Sequence, residues 1–511
     1  MTAWSAIASA TAVEHRLLLQ SLDDCGDAQV RQLDRLLAAN AGSHFGRQHG
    51  FHDIGDPDAY RSRVPLRDYA ELTDVVGPSM ADGLVGEPVV LYEETSGSTG
   101  GAKLIPYTAR SLAGFRAALH PWLHDLAHAY PSLGTGYFAI SPVARPPRST
   151  ASGVPIGADN DRVYFGEALA EPLAAITAVP PQVARLTDVD AWQYATLLHL
   201  LRTDDLTFAS VWSPTFLTGL LAALPRHAER LLRHLHDGVP AEPGGEPPIA
   251  ADPARARTLA DALAGGSPFT PRLWPGLRLI SSWADAGAAR FLGELQHLFP
   301  HADIQGKGLL STEAAVSLPL TGHPYPVLAV NSGFFEFLDR RGDAYLAHET
   351  TVGEVYELVI SVPGLYRYRN GDQVRVQGRA GSTPLLEFVG RAGLVSDLVG
   401  EKLTDTFVCD CLDDLQGFAM LAPRLDPRPH YQLFVEHGAK VSLAAIENRL
   451  RRNPHYAYAR AIGQLDRLRL VPVDGPLRRY QAAALNRGQR LGDIKPPSLR
   501  PEPDWETWMC S

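Results

Sequence analysis

Residues 93–106 read Glu-Glu-Thr-Ser-Gly-Ser-Thr-Gly-Gly-Ala-Lys-Leu-Ile-Pro, and the reading of this stretch decides the fold. The apolar run Val89-Val90-Leu91-Tyr92 ahead of it reads as a buried strand. The chain then turns through three glycines, four hydroxyl side chains and one lysine. Gly97, Gly100 and Gly101 let backbone N–H groups converge on an anion without Cβ clashes, while Thr95, Ser96, Ser98 and Thr99 add hydroxyl donors and Lys103 a point charge. That set is a cradle for phosphate. The nucleotide loop of kinases and ATPases is excluded by spacing: counted from Gly97, it needs glycine where Ala102 stands and Ser or Thr where Leu104 stands. Nor does this loop run straight into a helix, because residues 104–106 are extended and the next helix is expected after Thr108, an N-cap. A solvated Gly/Ser hairpin is the alternative that the loop alone leaves open.

Working outward, a chain of 511 residues exceeds what one core serves, so two or three domains are expected. Its 47 basic and 57 acidic residues give a net charge of -10 with no long run of one sign, which argues against nucleic acid or an anionic membrane as partner. Cys25, Cys409, Cys411 and Cys510 cannot form a disulfide framework, and Cys409-x-Cys411 has no second pair to complete a zinc site. With no basic start before its Ala-rich N-terminus and no window of roughly 18 apolar residues, the chain reads as cytoplasmic. Only five of the basic residues are lysine: Lys103, Lys307, Lys402, Lys440 and Lys495. Arginine is a planar fork and lysine a compact charge on a flexible stem, so these five are candidates for places where the fork does not fit. The 18 histidines show no His-Glu-x-x-His spacing and no Gly-x-Ser-x-Gly surrounds a nucleophile, which sets aside metal and serine hydrolases.

Along the chain, residues 1–75 show helical periodicity, with 56–65 as a polar connection. A helix over 109–129 is expected to kink or break at Pro121. A strand over 137–141 leads into a Pro/Arg/Ser-rich loop. Helices over 190–201 and 214–224 flank a strand at 207–211, the alternation of parallel α/β layers. Residues 237–256 read as an exposed excursion.

A second cluster has a strand at 277–280, an amphipathic helix at 288–298, and then Ile304-Gln-Gly-Lys-Gly-Leu-Leu-Ser-Thr-Glu313. A strand ending in Gly, Thr and Glu suits a ligand site at the carboxyl edge of a parallel sheet. There Glu313 is placed to hold a hard cation such as magnesium and Thr312 to touch a phosphate oxygen, with a capped turn as the alternative. In the third cluster, alternating strands flank Asn370-Gly371, read as a hairpin turn, and put Asp372 where its carboxylate can accept two hydroxyl hydrogen bonds, as ribose recognition requires. After a hinge near Ala392-Gly393, helices at 404–415 and 443–452 and strands at 419–425, 431–436, 457–464 and 469–473 make a small α+β module.

The loop ending in Lys103, Ser-Thr-Glu at 311–313, Tyr366-Arg-Tyr-Arg-Asn-Gly-Asp372 and Gly390-Arg391 occur in the order seen in acyl-adenylate-forming enzymes. More closely, Gly306-Lys-Gly-Leu-Leu-Ser-Thr-Glu313 and Gly364-Leu-Tyr-Arg-Tyr-Arg-Asn-Gly-Asp372 resemble the auxin-responsive Gretchen Hagen family of acyl acid amido synthetases in its bacterial form, over residues 85 to 500. The resemblance implies an α/β fold: a large N-terminal α/β domain (1–391) with a β-barrel-like subdomain, and a small mobile α+β C-terminal domain (392–511). It implies two half-reactions. A carboxylic acid attacks the α-phosphate of ATP to give an acyl-adenylate and pyrophosphate, and an amine acceptor, usually an amino acid, then displaces AMP.

Carried over by residue, Ser96, Gly97, Ser98, Thr99, Gly100, Gly101 and Lys103 would hold the phosphates of ATP and Glu313 the Mg2+. Thr312 would contact the nucleotide, and Asp372 and Arg391 the ribose. Lys495, in Gly492-Asp-Ile-Lys-Pro-Pro, matches the C-terminal lysine that bridges carboxylate and α-phosphate. One departure is Leu309, which stands where many such enzymes place an aromatic residue against adenine. A thioester ligase using coenzyme A or a carrier protein shares the first half-reaction and is the alternative; a non-catalytic nucleotide-binding protein is the other. The acid is expected to be aromatic or otherwise apolar, and the oligomeric state is left open.

Overall fold

The computed structural model describes residues 2–76, 83–95, 103–139, 148–158, 162–240, 249–489 and 491–510. The fold is mixed α/β, with a large N-terminal α/β domain and a smaller C-terminal domain, as the sequence implies. By packing, the chain divides into two compact units. The first comprises Met1–Gly136, Arg145–Thr177 and Gly306–Phe388, and the second Tyr137–Ala144, Ala178–Gln305 and Val389–Ser511.

In the first unit, Thr2 caps the helix Ala3–Asp23, which lies along the helix Ala109–Ala129, and His124 Nδ1 meets Ala8 O at 2.9 Å. Thr108 is the expected N-cap, and with Ser111 it forms a capping box. Pro121 does not break this helix. Phe115 and Ala118 before the proline and Trp122, Leu123 and Leu126 after it are all buried, and that burial on both sides offsets the roughly 3 kcal/mol penalty of an internal proline. The strands Val89–Thr95 and Lys103–Thr108 pair antiparallel, with Thr95 opposite Lys103, so the ends of the glycine-rich stretch lie side by side.

Where a β-barrel-like subdomain is expected, the described residues form an open seven-stranded sheet. Its order is Ala344–Leu346, Phe334–Leu338, Val355–Val362, Leu365–Ala380, Thr383–Arg391, Val327–Leu328, Ser317–Leu318. Phe334 to Leu338 are buried without alternation, so this strand is covered on both faces.

The second unit contains the strands Leu206–Ser210 and Leu279–Ser282 of a four-stranded sheet ordered Thr135–Phe138, Leu206–Ser210, Leu279–Ser282, Asp303–Gly306, with Phe208 and Leu279 in parallel register. The helices Val189–Arg202, Pro214–Ala222, Leu224–Asp237 and Pro253–Ala264 share its core, built on Trp192, Leu197, Leu217, Leu231, Leu259 and Trp274. The C-terminal part adds a sheet of Ala419–Arg424, His430–Glu436 and Arg469–Val473, with its own core from Leu403 to Leu499. Among the described residues no helix is long and apolar enough to cross a membrane.

Three local expectations are corrected, each by a helix cap. Residues 56–65 contain the helix Pro57–Arg63, because Asp56 accepts the Ala59 N–H and Pro57 occupies the first helical position. The stretch 237–256 closes on itself through a Val239–Ile249 bridge and runs into the helix Pro253–Ala264, capped by Asp252; residues 241–248 lie outside the described residues. Residues 457–464 form no strand, for Asn453 and Pro454 start the helix Pro454–Ala461.

Candidate active site

Of the predicted phosphate cradle, Ser96, Gly97, Ser98, Thr99, Gly100 and Gly101 lie outside the described residues. Lys103 at its end is described and well anchored. Its Nζ donates to the Tyr368 hydroxyl at 3.1 Å and lies 5.7 Å and 5.8 Å from the ring centres of Tyr69 and Tyr368. Tyr69 is held in turn by Leu104, whose N–H donates to the phenol oxygen at 2.8 Å. The first and third sequence clusters are thereby brought together.

Thr312 and Glu313 lie between the strands Asp303–Gly306 and Ser317–Leu318. The Tyr107 hydroxyl donates to Thr312 O at 2.6 Å, and Ser311 Oγ accepts the Ala314 N–H at 3.3 Å, so this is indeed a capped turn. It also does more. Glu313 is only 7% exposed, yet among the described residues no cation lies within ion-pair distance of it. Its neighbours around a small cavity include Ile105, Tyr107, Ser111, Phe115 and Ser332. Burial, then the charges of Glu93 and Glu313, hold the Tyr107 phenol well above its ordinary pKa, so it stays a neutral donor. A buried carboxylate without a counter-cation fits a hard divalent ion that takes its remaining ligands from phosphate and water, as magnesium does. No group of three or more His, Cys, Asp or Glu gathers among the described residues to form an all-protein cage.

Asn370-Gly371 is not a hairpin turn. The hairpin closes earlier, with Val362 opposite Leu365, and Leu365–Ala380 runs on as one strand. Glu357 pairs with Gln373 and Val359 with Arg369, so residues 370–372 bulge opposite Leu358. Pairing continues on both sides with the same partner strand, as with Tyr356 and Val374, and the Asn-Gly pair is consumed in the bulge, with Gly371 at φ 85°. Asp372 sits on this bulge, 2% exposed. Its N–H donates to Asn370 Oδ1 at 2.9 Å and its Oδ2 accepts from Asn370 Nδ2 at 2.6 Å. Lys103, Thr312, Glu313 and Asp372 all belong to the first unit.

Sequence reading missed Arg367 and Glu336. Arg367 has φ 46°, a conformation that costs an arginine about 1–3 kcal/mol, and is buried. Its Nε and Nη2 donate to Glu336 at 2.9 and 3.2 Å, and its Nη1 to Arg61 O and Val64 O at 3.1 and 3.0 Å. This clamp fixes the residue next to Tyr368 and hence the hydroxyl on Lys103. A signal was available: Phe334-Phe-Glu-Phe-Leu338 places one acid in an otherwise apolar strand, and a fully buried acid demands a cationic partner.

Arg391 and Lys495 belong to the second unit. Arg391 ends the strand Thr383–Arg391 and is half-buried. Lys495 is exposed, with Nζ 4.1 Å from the ring centre of Trp283, just past the strand Leu279–Ser282. Lys402 is exposed and has φ 46°.

Comparison with known proteins bears on this arrangement. Residues 15–304 match the GH3 family N-terminal domain and residues 326–391 the GH3 family central domain. A probable indole-3-acetic acid-amido synthetase, GH3.4 of Oryza sativa subsp. japonica, is 28% identical over 577 aligned residues, spanning 98% of this chain and 90% of that protein. The jasmonoyl-L-amino acid synthetase JAR6 of Nicotiana attenuata is 24% identical over 421 residues, spanning 75% of this chain and 72% of its own length. The fold is that of the GH3.15 acyl acid amido synthetase, with a TM-score of 0.84 at 18% identity over 97% of this chain and 95% of that one. Both clusters of the first unit and the parallel sheet of the second lie inside or between the matched domains, and the chain belongs to the GH3 family.

Proposed function

We propose that this protein is an ATP-dependent acid–amine ligase. It activates a carboxylic acid as an acyl-adenylate, releasing pyrophosphate, and transfers the acyl group to an amino acid, releasing AMP. Membership of the GH3 family supports this reading, and the observation that carries it is Glu313, a buried carboxylate without a described counter-cation on the turn clamped by Tyr107.

A carboxylate and the α-phosphate of ATP are both anionic, so a catalyst must neutralise and align them. Alignment supplies up to about 7–11 kcal/mol, and preorganised donors add to it. In this reading residues 96–101 and Lys103 hold the phosphates, with Lys103 kept straight by Tyr368. Thr312 contacts the nucleotide, and Asp372 and Arg391 take the ribose hydroxyls. Glu313 would hold magnesium, which when bound would supply charge neutralisation on the phosphates. Lys495 bridges the attacking carboxylate oxygen and the α-phosphate. In the second half-reaction the amine attacks the acyl carbon, loses a proton, and AMP departs.

We assign residues 1–391 to the adenylating domain and 392–511 to the domain carrying Lys495. In this reading the acid carries an apolar or aromatic body. All four cysteines are free, and burial pushes the Cys25 thiol up to about 11, which fits a reducing cytoplasm.

The test is pyrophosphate release with a panel of acids, followed by discharge of the adenylate with amino acids or coenzyme A. Lys495→Ala should abolish pyrophosphate release while ATP binding persists. Unchanged release in that variant, or discharge by the thiol in preference to every amine, would overturn the proposal.

A further inference from the structure

Two prolines follow Lys495, and the residues beyond them are fastened to one carboxylate. Pro496 and Pro497 bring no N–H to a neighbouring strand, and their rings lock φ at about −65°. Each also restricts the residue before it, Lys495 and Pro496, to extended conformations. Residues 495–498 are therefore a stiff arm, and the point at which it is pinned decides where the lysine backbone stands. The pin is Asp405. Its Oδ1 accepts the N–H groups of Ser498 and Leu499 at 2.9 and 2.8 Å, from 93 and 94 positions away. Leu421 holds the same residues from the sheet, donating its N–H to Ser498 O at 2.7 Å and accepting from Arg500 N at 2.9 Å. Asp405 itself stands on a fixed base: its N–H donates to Leu394 O at 2.9 Å, and Thr404 before it caps the helix Asp405–Cys411 by accepting the Phe407 N–H at 3.2 Å. Burial raises the Asp405 carboxyl pKa, while the two N–H groups and the charges of the buried Arg290 and Arg500 hold that rise back. All these residues lie in the second unit.

We propose that Asp405 is a positioning residue for Lys495: by holding Ser498 and Leu499 on one oxygen, it sets the place from which the lysine reaches the reacting carboxylate and the α-phosphate. This rests on the reading of Lys495 as the adenylation lysine. An acid at the start of a helix ordinarily serves that helix, by offsetting the positive end of its dipole. Here the oxygen is spent on the backbone of a distant segment, and a hydrogen bond from N–H to a carboxylate is shorter and stronger than one between neutral groups. Lysine brings a long flexible stem, so a backbone that wandered as well would add to the freedom that must be lost before attack. With the arm stiffened by its prolines and pinned at Ser498, that added freedom is removed without any group being placed on the ammonium itself.

The pin and its role are read by different measurements. In amide hydrogen exchange, Asp405→Ala should lose protection at Ser498 and Leu499 while the strand His430–Glu436 keeps its own. Unchanged protection at 498 and 499, or a loss spread equally over the sheet, overturns the inference whatever the enzyme does. In pyrophosphate release, Asp405→Ala should lower kcat about ten- to hundredfold, the effect of a displaced reacting group, with KM for ATP near that of the unsubstituted enzyme. Discharge of preformed adenylate by the amino acid should hardly change. Asp405→Asn keeps an acceptor oxygen and should recover most of the loss, at a lower urea midpoint because it gives up the charge that faces Arg290 and Arg500. Asp405→Glu, which keeps the charge and moves the oxygen by one methylene, should show the same split between half-reactions and serves if the alanine variant does not fold. Equal losses in both half-reactions, or Asn no better than Ala, would reduce Asp405 to a structural residue and overturn the inference. Lost protection with kcat intact, while Lys495→Ala abolishes release, would overturn the inference and leave the reading of Lys495 standing. Full release in Lys495→Ala would refute that reading, and this inference with it.

Discussion

Two buried glutamates of the same unit are handled in opposite ways. Glu336 is fully buried in the strand Phe334–Leu338, and three N–H donors of Arg61 and Arg367 reach its oxygens at 2.9 to 3.2 Å. Glu313 is nearly as buried, on a turn, and among the described residues no cation reaches it. Both charges were removed from bulk water at a cost, and only one is compensated within the described fold. An acid that is fully clamped holds chain segments together. An acid left without a counter-charge among the described residues lowers stability by itself, and in the proposed function a bound cation would offset it.

The sharpest way to break this contrast is Glu336→Gln. It leaves Arg367, at a strained φ of 46°, and Arg61 without the anion that they share. Removal of one partner from a buried pair costs about 3–5 kcal/mol, so the urea midpoint should fall strongly. The half-reactions of the protein that stays folded should keep their ratio. If stability hardly moves, the clamp is not what holds the strand Leu365–Ala380 in register.

Glu313→Gln should do the reverse. Loss of a buried charge that no described cation compensates should leave the urea midpoint unchanged or raise it. Pyrophosphate release should drop about 10²–10³-fold, the size seen when one preorganised electrostatic group is removed. A destabilisation as large as that of Glu336→Gln would make Glu313 a second structural acid, and the contrast would disappear.

The same two residues show what the sequence could and could not convey. The turn that carries Glu313 was legible because Gly, Ser-Thr-Glu and the following apolar residues are local, and local order survives folding. Thr108 and the parallel layers around the strand Leu206–Ser210 were legible for the same reason: caps and periodicities act within a few residues. Glu336 and Arg367 were not, because their meaning lies in a pairing across 31 positions and in a positive φ that no arginine advertises. Asn370-Gly371 misled for a related cause. The dipeptide favours a left-handed turn, but whether that turn reverses the chain or bulges a strand depends on the partner strand, which local sequence does not specify. Residues 457–464, expected as a strand, begin instead inside the helix Pro454–Ala461, because the Asn-Pro start acts a few residues ahead of them and Tyr456 is buried while Tyr458 is exposed.

Glu447, in the second unit, stands between the two extremes and gives the smallest effect. Burial works to raise its carboxyl pKa, but the hydrogen bond from Arg460 Nε at 2.6 Å and that cation's charge outweigh it, helped by the Leu468 N–H and the Tyr456 hydroxyl, and the net shift is below the ordinary 4.5. A carboxyl depressed in the folded state contributes stability that is fully present above the unfolded value and is lost as pH falls through the folded one. Glu447→Gln should therefore lower the urea midpoint at neutral pH, and the gap from the unsubstituted protein should close as pH drops below about 4.5. Asp405 titrates the other way, since burial raises its carboxyl despite the two N–H groups and the nearby arginines. Its contribution is common to both proteins, so the difference between them isolates Glu447. A gap that stays constant through the acid range would mean that Glu447 is held by shape and not by Arg460's charge, which would move it from the clamped class to neither.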